Sequence, residues 1–284
     1  MKRSIIALAA GFAAIICISS CDKLDAPYAV KKTGGDTTEG PVRKVLLEDY
    51  TGHKCVNCPD AAMTAHTIEA ANEGRLIIIA VHAGFFATPA ATGDFTADYR
   101  TPAGTEWNDD FGINGWPAGL INRTPYEGTT VLYDYGQWGN AINAQLAIPQ
   151  EANILIENDY NSSTRKLTAT VSTKFIALLE GTYAVTVCIT EDSLSSPQKN
   201  NDSLVGPVPI IYDYIFMDML RTNMNGTWGE ELTASVDSAL TYTKTYSVTL
   251  DAAWTAKNCH VVAFVSNTET KEVIQAEKEP VLPE

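Results

Sequence analysis

The chain has 284 residues and a formal net charge of −14 at pH 7, with 34 acidic residues against 20 Lys and Arg. Such an acidic chain is poorly suited to bind nucleic acid or an anionic lipid surface, so neither is an expected partner. The length is enough for about two domains.

The first 20 residues have the pattern of a secretion signal. Two basic residues precede an apolar run that is too short for a comfortable membrane span. The following Ile18-Ser19-Ser20-Cys21 resembles a bacterial lipobox, in which cleavage leaves the cysteine as a lipidated N-terminal residue. We therefore predict a lipoprotein signal peptide over residues 1–20 and an acyl anchor, such as palmitate, on Cys21. Ordinary secretion with Cys21 as a spare thiol is the alternative.

A flexible tether is predicted over residues 21–41. This segment is rich in Lys, Asp, Thr, Gly and Pro and has almost no apolar residues, so it cannot bury enough surface to fold. Loss of the signal peptide removes two basic residues and no acid, which changes the net charge from −14 to −16. The tether would hold the folded part at some distance from the membrane.

Four cysteines remain after one is lost with the signal peptide and Cys21 is acylated. Cys55 and Cys58 are close enough in sequence to form a local disulfide. Cys188 and Cys259 could pair if their strands are neighbours. Cys188 alternates with an apolar set and would face the other way, so this second pairing stays open.

The run over residues 46–59 has the pattern of a strand, a turn and two cysteines that open a helix. A thiol at a helix N-terminus faces the positive end of the helix dipole, which favours the reactive thiolate. Pro59 suits the first helical turn, where a backbone N–H is dispensable. Cys55 and Cys58 are therefore candidates for a reactive dithiol. The alternative is a permanent disulfide that braces the fold without turnover.

Residues 42–148 follow the order β-α-β, an irregular stretch, then β-β-α, and a CxxC beside βαβ resembles the thioredoxin redox motif. Asp49 lies six residues before Cys55, where thioredoxins carry a buried carboxylate that accepts a proton from the second cysteine. Trp116-Pro117 resembles the segment in which a cis-proline faces the dithiol. The resemblance implies catalytic roles for Cys55, Cys58, Asp49 and Pro117, with Trp116 flanking the substrate.

Two features depart from the thioredoxin pattern. Lys54 stands where thioredoxins have Trp; it would flank the substrate and favour the thiolate. Val56-Asn57 replaces Gly-Pro between the cysteines, which leaves the redox potential open. His53, the two cysteines and His66 could supply four zinc ligands, but eight residues of helix separate Cys58 from His66, about 12 Å of rise. No metal and no other cofactor is therefore expected.

Residues 149–284 change to alternating apolar and polar residues in several short runs with turn signals between them, which is typical of a β-sandwich. Between the third and fourth of these runs the pattern is irregular, with residues 212–220 apolar enough for another core element. The expected fold is an α/β thioredoxin-like domain followed by an all-β sandwich, immunoglobulin-like, domain.

The lipobox, the tether, the core Thr51-Gly52-His53-Lys54-Cys55-Val56-Asn57-Cys58-Pro59, the Gly-Trp-Pro segment and Asn225-Gly226-Thr227-Trp228-Gly229-Glu230 together resemble the outer membrane protein 28 family of surface lipoproteins. The resemblance covers nearly the entire mature chain. It implies a lipid-anchored protein of the Gram-negative outer membrane, of a family sometimes described as adhesins or receptors and with no settled reaction.

Two functions follow from these observations. The resemblance favours a binding or structural envelope protein, held in the membrane by the lipid on Cys21, with an envelope protein or peptide as partner. The dithiol favours a membrane-tethered thiol-disulfide oxidoreductase as the alternative. In that enzyme Cys55 would attack the substrate, Cys58 would resolve the mixed disulfide and Asp49 would shuttle the proton.

Overall fold

The computed structural model describes residues 42–232 and 241–283. The predicted signal peptide, the lipid site at Cys21 and the tether lie outside the described residues. The helices are α1 (Cys58–Ala71), α2 (Gly84–Ala87), α3 (Pro102–Asp110) and α4 (Trp138–Leu146). The strands are β1 (Val45–Thr51), β2 (Leu76–His82), β3 (Ala118–Ile121), β4 (Ala152–Asn161), β5 (Lys166–Phe175), β6 (Tyr183–Glu191), β7 (Leu194–Lys199), β8 (Ile210–Phe216), β9 (Met219–Asn223), β10 (Glu230–Glu231), β11 (Thr241–Thr249), β12 (Cys259–Asn267) and β13 (Val273–Pro280).

Within the described ranges the strands form three sheets. The largest has the order β13-β12-β6-β9-β2-β1-β3, with β10 paired to β6. In it β1 and β2 are parallel, whereas β3 is antiparallel to β1. A second sheet has the order β11-β5-β4, and β7 and β8 form a separate antiparallel hairpin. The fold is therefore mostly β with mixed sheets. None of the described helices is both long and apolar enough to cross a membrane.

The large sheet continues across the predicted domain boundary between residues 148 and 149. Its junction is the pairing of β2 with β9, where Ala80 lies opposite Met219 and the Ala80 N–H donates to Asp218 O at 2.9 Å. The two edges of the sheet also approach each other: the Val273 N–H of β13 donates to Asn122 O, just after β3, at 2.8 Å. Described residues from 42 onward thus belong to one compact unit. The sequence boundary marks a change of secondary structure and not a break in the sheet.

Strand β1 is buried on both faces, as expected for a central strand under two layers. Val45 and Leu47 pack in a core with α1 and α4, whereas Leu46 and Tyr50 pack in a second core with residues of α3, β6 and β12. Side chains alternate along a strand, so every second residue of β1 faces the α1 side. Glu48 and Asp49 consequently point to opposite faces.

The three-stranded sheet packs face to face on the large sheet. Their shared core contains Ile154 of β4, Leu167 of β5, Val187 of β6 and Val261 of β12, all at most 8% exposed. This packing of two sheets accounts for the alternation that the sequence shows after residue 149.

The open pairing of Cys188 with Cys259 is not formed: both are free and buried. Strands β6 and β12 are neighbours, but Cys259 lies opposite Glu191 and Cys188 lies opposite Val262. Cys259 faces the core under the three-stranded sheet, whereas Cys188 faces the core with α3. The two thiols are on opposite faces, as the alternation around Cys188 indicates.

A buried ion pair lies on the α3 side of β1. The Arg123 guanidinium donates from Nε and Nη2 to the two carboxylate oxygens of Glu48, each at 2.7 Å. Both side chains are at most 1% exposed. The guanidinium carbon also lies 5.0 Å from the ring centres of Trp107 and Phe264. This bidentate geometry compensates the desolvation of both charges.

We expect Arg123→Met to lower the free energy of unfolding by about 3–5 kcal/mol, because it leaves Glu48 buried without a counter-ion. The double variant Glu48→Leu/Arg123→Met should lose less than Arg123→Met alone. Urea denaturation measures both. Arg100→Met is the control; it breaks an exposed pair with Asp98, worth about 1 kcal/mol or less. If the double variant loses as much unfolding free energy as Arg123→Met, or more, the role of the pair is contradicted.

Candidate functional site

The two cysteines of the CxxC motif are joined by a disulfide at the start of α1. The Cα atoms of Cys55 and Cys58 are 5.4 Å apart, and Cys58 is the first residue of the helix. Pro59 occupies the first turn, where no intrahelical N–H bond is lost. Both cysteines are only 2% exposed. The disulfide is therefore inside the protein and not on its surface.

Helix α2 covers one side of the disulfide loop, by which we mean residues 52–58. The Lys54 N–H donates to Phe86 O at 3.1 Å. Glycine is required at position 52 for this contact, since a Cβ there would lie 2.5 Å from the Phe86 carbonyl carbon. The ring of Trp116 packs edge-on against Phe86 with centroids 5.9 Å apart. Trp116 thus supports this cover.

The β7–β8 hairpin covers the other side of the disulfide loop. Gln198 Nε2 donates to Cys55 O at 2.7 Å, and the Lys199 N–H donates to His53 O at 2.9 Å. The Asn201 N–H donates to Val56 O at 3.2 Å. Asn201 Nδ2 also donates, at 2.7 Å, to the side-chain oxygen of Asn57, the residue that precedes α1. The segment 198–201 therefore lies along the loop and is hydrogen-bonded to its backbone.

A small cavity of about 50 Å³ lies between α1 and β8. Its inner wall contains the buried residues Asp49, Cys58 and His82, and its outer wall contains the partly exposed Ala62 and Ile215. Cys58 lines this cavity, whereas Cys55 is not among its lining residues. The cavity therefore leads from the partly exposed surface toward Cys58, one of the two residues of the disulfide.

Asp49 is an acid–base group inside this cavity. It is 2% exposed, and its Oδ1 has no hydrogen-bond partner among the described residues. Burial raises the pKa of Asp49 to about 7; the positive charge of His66 opposes this shift and the negative charge of Asp218 adds to it. An unpaired buried carboxylate is disfavoured, so the carboxyl keeps its proton over much of the acidic range.

His82 forms a second unsatisfied group in the cavity wall. Neither ring nitrogen has a partner among the described residues, and the ring packs edge-on against Tyr99 at 5.4 Å and Phe216 at 5.3 Å. Burial lowers the pKa of His82 to about 3, with smaller effects from the charges of His53 and Arg221. His82 is therefore neutral at physiological pH.

Only some of the predicted site residues lie together in the cavity. Cys58 and Asp49 line one cavity with Thr51, next to the disulfide. The Trp116-Pro117 bond is cis and leads into β3, and Trp116 contacts the loop through Phe86. The Lys54 ammonium lies 5.6 Å from the centre of the exposed Phe85 ring.

Sequence reasoning missed the cover by Gln198 and Asn201. Both residues lie in a stretch without a regular sequence pattern, so nothing local predicts what they contact. Most of their contacts are with backbone carbonyls more than 140 residues away.

Among the described residues, one cluster has metal-ligand chemistry; His66 and Glu69 of α1 and Asp218, just before β9, form it. His66 Nδ1 lies 3.2 Å from Glu69 Oε2 and 3.9 Å from Asp218 Oδ2. The ammonium of Lys278 forms an ion pair with Asp218 on its other oxygen. A cation therefore already compensates the most buried acid of this cluster, which weakens it as a metal site.

Comparison with known proteins places this chain in a family of outer-membrane proteins. The family model described as "Outer membrane protein Omp28" matches residues 105–283. The chain belongs to this family, and the predicted family and outer-membrane location are confirmed. The comparison with curated proteins found no match.

The solved structures that are similar to this chain include the following three. HBP35 of Porphyromonas gingivalis is 18% identical, with a TM-score of 0.65, over 84% of this chain and 76% of that chain. Protein AGR_C_4864 from Agrobacterium tumefaciens is 13% identical, with a TM-score of 0.50, over 87% of this chain and 98% of that chain. A domain of the outer membrane lipoprotein Omp28 from Porphyromonas gingivalis is 21% identical, with a TM-score of 0.33, over 48% and 91%. The first two likenesses concern the fold alone.

Asp49→Asn should make the oxidised protein more stable at pH 8 by roughly 2–4 kcal/mol, with little difference at pH 4. The folded-state pKa of about 7 lies above the ordinary value of 3.8. The wild type therefore loses stability as the pH rises from about 4 through 7, and an amide cannot ionise. Urea denaturation across this range measures the difference.

The other titratable groups that face Asp49 are His66 on α1, His82 on β2, Tyr214 on β8 and Asp218 before β9. They are present in both proteins, so the difference isolates Asp49. Asp94→Asn, at an exposed position, is the control and should show no such trend. A constant difference between the two proteins at all pH values would contradict the raised pKa.

Proposed function

We propose that this protein is a binding or structural lipoprotein of the outer membrane, in which the Cys55–Cys58 disulfide braces the loop before α1. One observation carries the proposal: both cysteines are 2% exposed, and segments of the same chain cover the disulfide loop on two sides. A polypeptide substrate would need the surface that residues 198–201 occupy. In this proposal the disulfide is therefore part of the scaffold.

The scaffold is proposed to be thioredoxin-like over residues 42–148. Support comes from the parallel pairing of β1 with β2 through α1, from β3 antiparallel to β1 after the cis Trp116-Pro117 bond, and from α4 after it. An isolated bridge between Gly119 and Leu132 adds the start of one more strand. Residues 149–284 are proposed to form an immunoglobulin-like sandwich, supported by the packing of the three-stranded sheet on β6 and β12.

Attachment is proposed through residues 1–41. The signal peptide would cover residues 1–20, the lipid would be on Cys21, and residues 21–41 would be the tether to the folded unit. The lipobox pattern and membership of the Omp28 family support this arrangement. The partner is then another protein or peptide of the envelope.

Cys21→Ala should move the protein from the outer-membrane fraction to the soluble fraction, because it removes the acylated side chain. Cys17→Ala is the matched control, since it changes a cysteine of the signal peptide only and should leave the protein in the membrane. Immunoblots of separated envelope fractions measure the distribution. Retention of Cys21→Ala in the membrane would contradict the anchor.

A second candidate is the tethered thiol-disulfide oxidoreductase, with Cys55 and Cys58 as the redox pair and Asp49 and Pro117 as supporting groups. The observation in its favour is that Asp49, with a pKa of about 7, lines the same cavity as Cys58. Against it stands the burial of Cys55, the cysteine that would attack.

Trapping separates the two candidates. In the full-length variant Cys58→Ser, an oxidoreductase would retain polypeptide substrates as mixed disulfides with Cys55, because nothing resolves them. We expect no adduct with any polypeptide on diagonal gels, first non-reducing and then reducing. The control is Cys55→Ser/Cys58→Ser. Reducible adducts that the control lacks would reject the structural proposal and favour the enzyme.

A further inference from the structure

The two cysteines of the disulfide differ in their surroundings. Cys55 is held beneath the hairpin, where Gln198 binds its carbonyl oxygen, and it does not line the cavity. Cys58 lines the cavity together with Asp49. Access to the disulfide through the cavity therefore leads to Cys58 first.

The size of the cavity limits what can enter it. One water position needs about 10–15 Å³, so the cavity of about 50 Å³ has room for about four water-sized groups. The reactive end of a small thiol needs no more positions than this, whereas a polypeptide loop needs many more.

The cavity wall is also polar. Asp49 Oδ1 and both ring nitrogens of His82 lack partners among the described residues. Buried polar atoms of this kind are stabilised by a polar occupant.

We propose that Cys58 is the reactive sulfur of this disulfide and that thiols of a few heavy atoms, entering between α1 and β8, reduce it while polypeptide thiols are excluded. This reaction goes beyond the proposed structural role, because it makes the disulfide one that small thiols reduce. It reverses the order expected from the thioredoxin resemblance, in which Cys55 is attacked or attacks first.

The exchange balances with two molecules of the small thiol. The first passes its proton to Asp49, and its thiolate attacks Sγ of Cys58. The S–S bond breaks and Cys55 leaves as a thiolate, which takes a proton from Asp49. The second thiol also gives its proton to Asp49, and its thiolate attacks the sulfur of the first. The two small thiols leave as a disulfide, and Cys58 takes the proton. The protein disulfide is reduced and the small thiols are oxidised.

The test measures the rate at which the mature full-length protein is reduced without oxygen by 2-mercaptoethanol and by glutathione at equal thiolate concentration. Acid quenching, alkylation and mass spectrometry report the reduced fraction and the cysteine that carries the small-thiol adduct. We expect the adduct on Cys58 and at least tenfold faster reduction by 2-mercaptoethanol than by glutathione, after correction for their rates with an unfolded control peptide.

Ala62→Leu narrows the cavity and should slow reduction by 2-mercaptoethanol at least tenfold. The matched control is Ala70→Leu, the same change at an exposed position of α1 outside the cavity. Thermal unfolding checks that both variants are folded.

An adduct on Cys55, equal rates for the two thiols, an effect of Ala70→Leu as large as that of Ala62→Leu, or no reduction by either thiol would overturn the inference. The last of these results leaves the structural brace standing. Mixed disulfides with polypeptides in Cys58→Ser would instead reject the brace itself, so the two failures are distinguishable.

Discussion

Burial of β1 on both faces is the constraint on which the rest of the structure depends. This strand carries two adjacent carboxyl groups into the interior, and alternation sends Glu48 to the α3 side and Asp49 to the α1 side. Glu48 meets Arg123 in a bidentate pair, so its charge is compensated. Asp49 has no such counter-ion, so its pKa rises instead. One strand thus supplies a structural carboxylate and a titratable one.

The continuity of the large sheet explains why a hairpin covers the disulfide. Glu191, the last residue of β6, pairs with Met219, and Met219 pairs with Ala80 near the end of β2. The chain between β6 and β9 must therefore leave and return at this point. That chain contains the β7–β8 hairpin, and the adjacent ends of β1 and β2 lie beside α1 and the disulfide. The cover follows from the sheet order and not from any local signal in the hairpin.

Local patterns could be predicted from the sequence because they depend on neighbouring residues. The spacing of the cysteines and Pro59 locates the start of α1, which begins at Cys58. Alternating apolar residues identify β4, β5, β6, β11 and β12 after residue 149, and the alternation around Cys188 points away from a pair with Cys259. Each inference uses the period of one element, which tertiary context did not override.

The sheet order and the buried charges could not be predicted in this way. A single residue pair joins β2 to β9 across about 140 residues of chain, and no pattern within either strand encodes it. Glu48 and Arg123 are of residue types that usually lie at the surface, and their burial depends on partners from distant elements. The hairpin over the disulfide has the same origin. The sequence therefore names candidate residues for the site but does not predict their accessibility.

Accessibility decides between the two kinds of exchange partner. A polypeptide that approaches Cys55 must displace residues 198–201. It must also break the four hydrogen bonds that these residues make with residues 53–57. At about 0.5–1.5 kcal/mol each, their loss raises the free energy by about 2–6 kcal/mol, which lowers the population of the open form by a factor of about 30 to 20,000. A small thiol that enters beside Cys58 breaks none of these bonds. The same cover that makes the disulfide a poor enzyme site for proteins therefore leaves it open to small molecules.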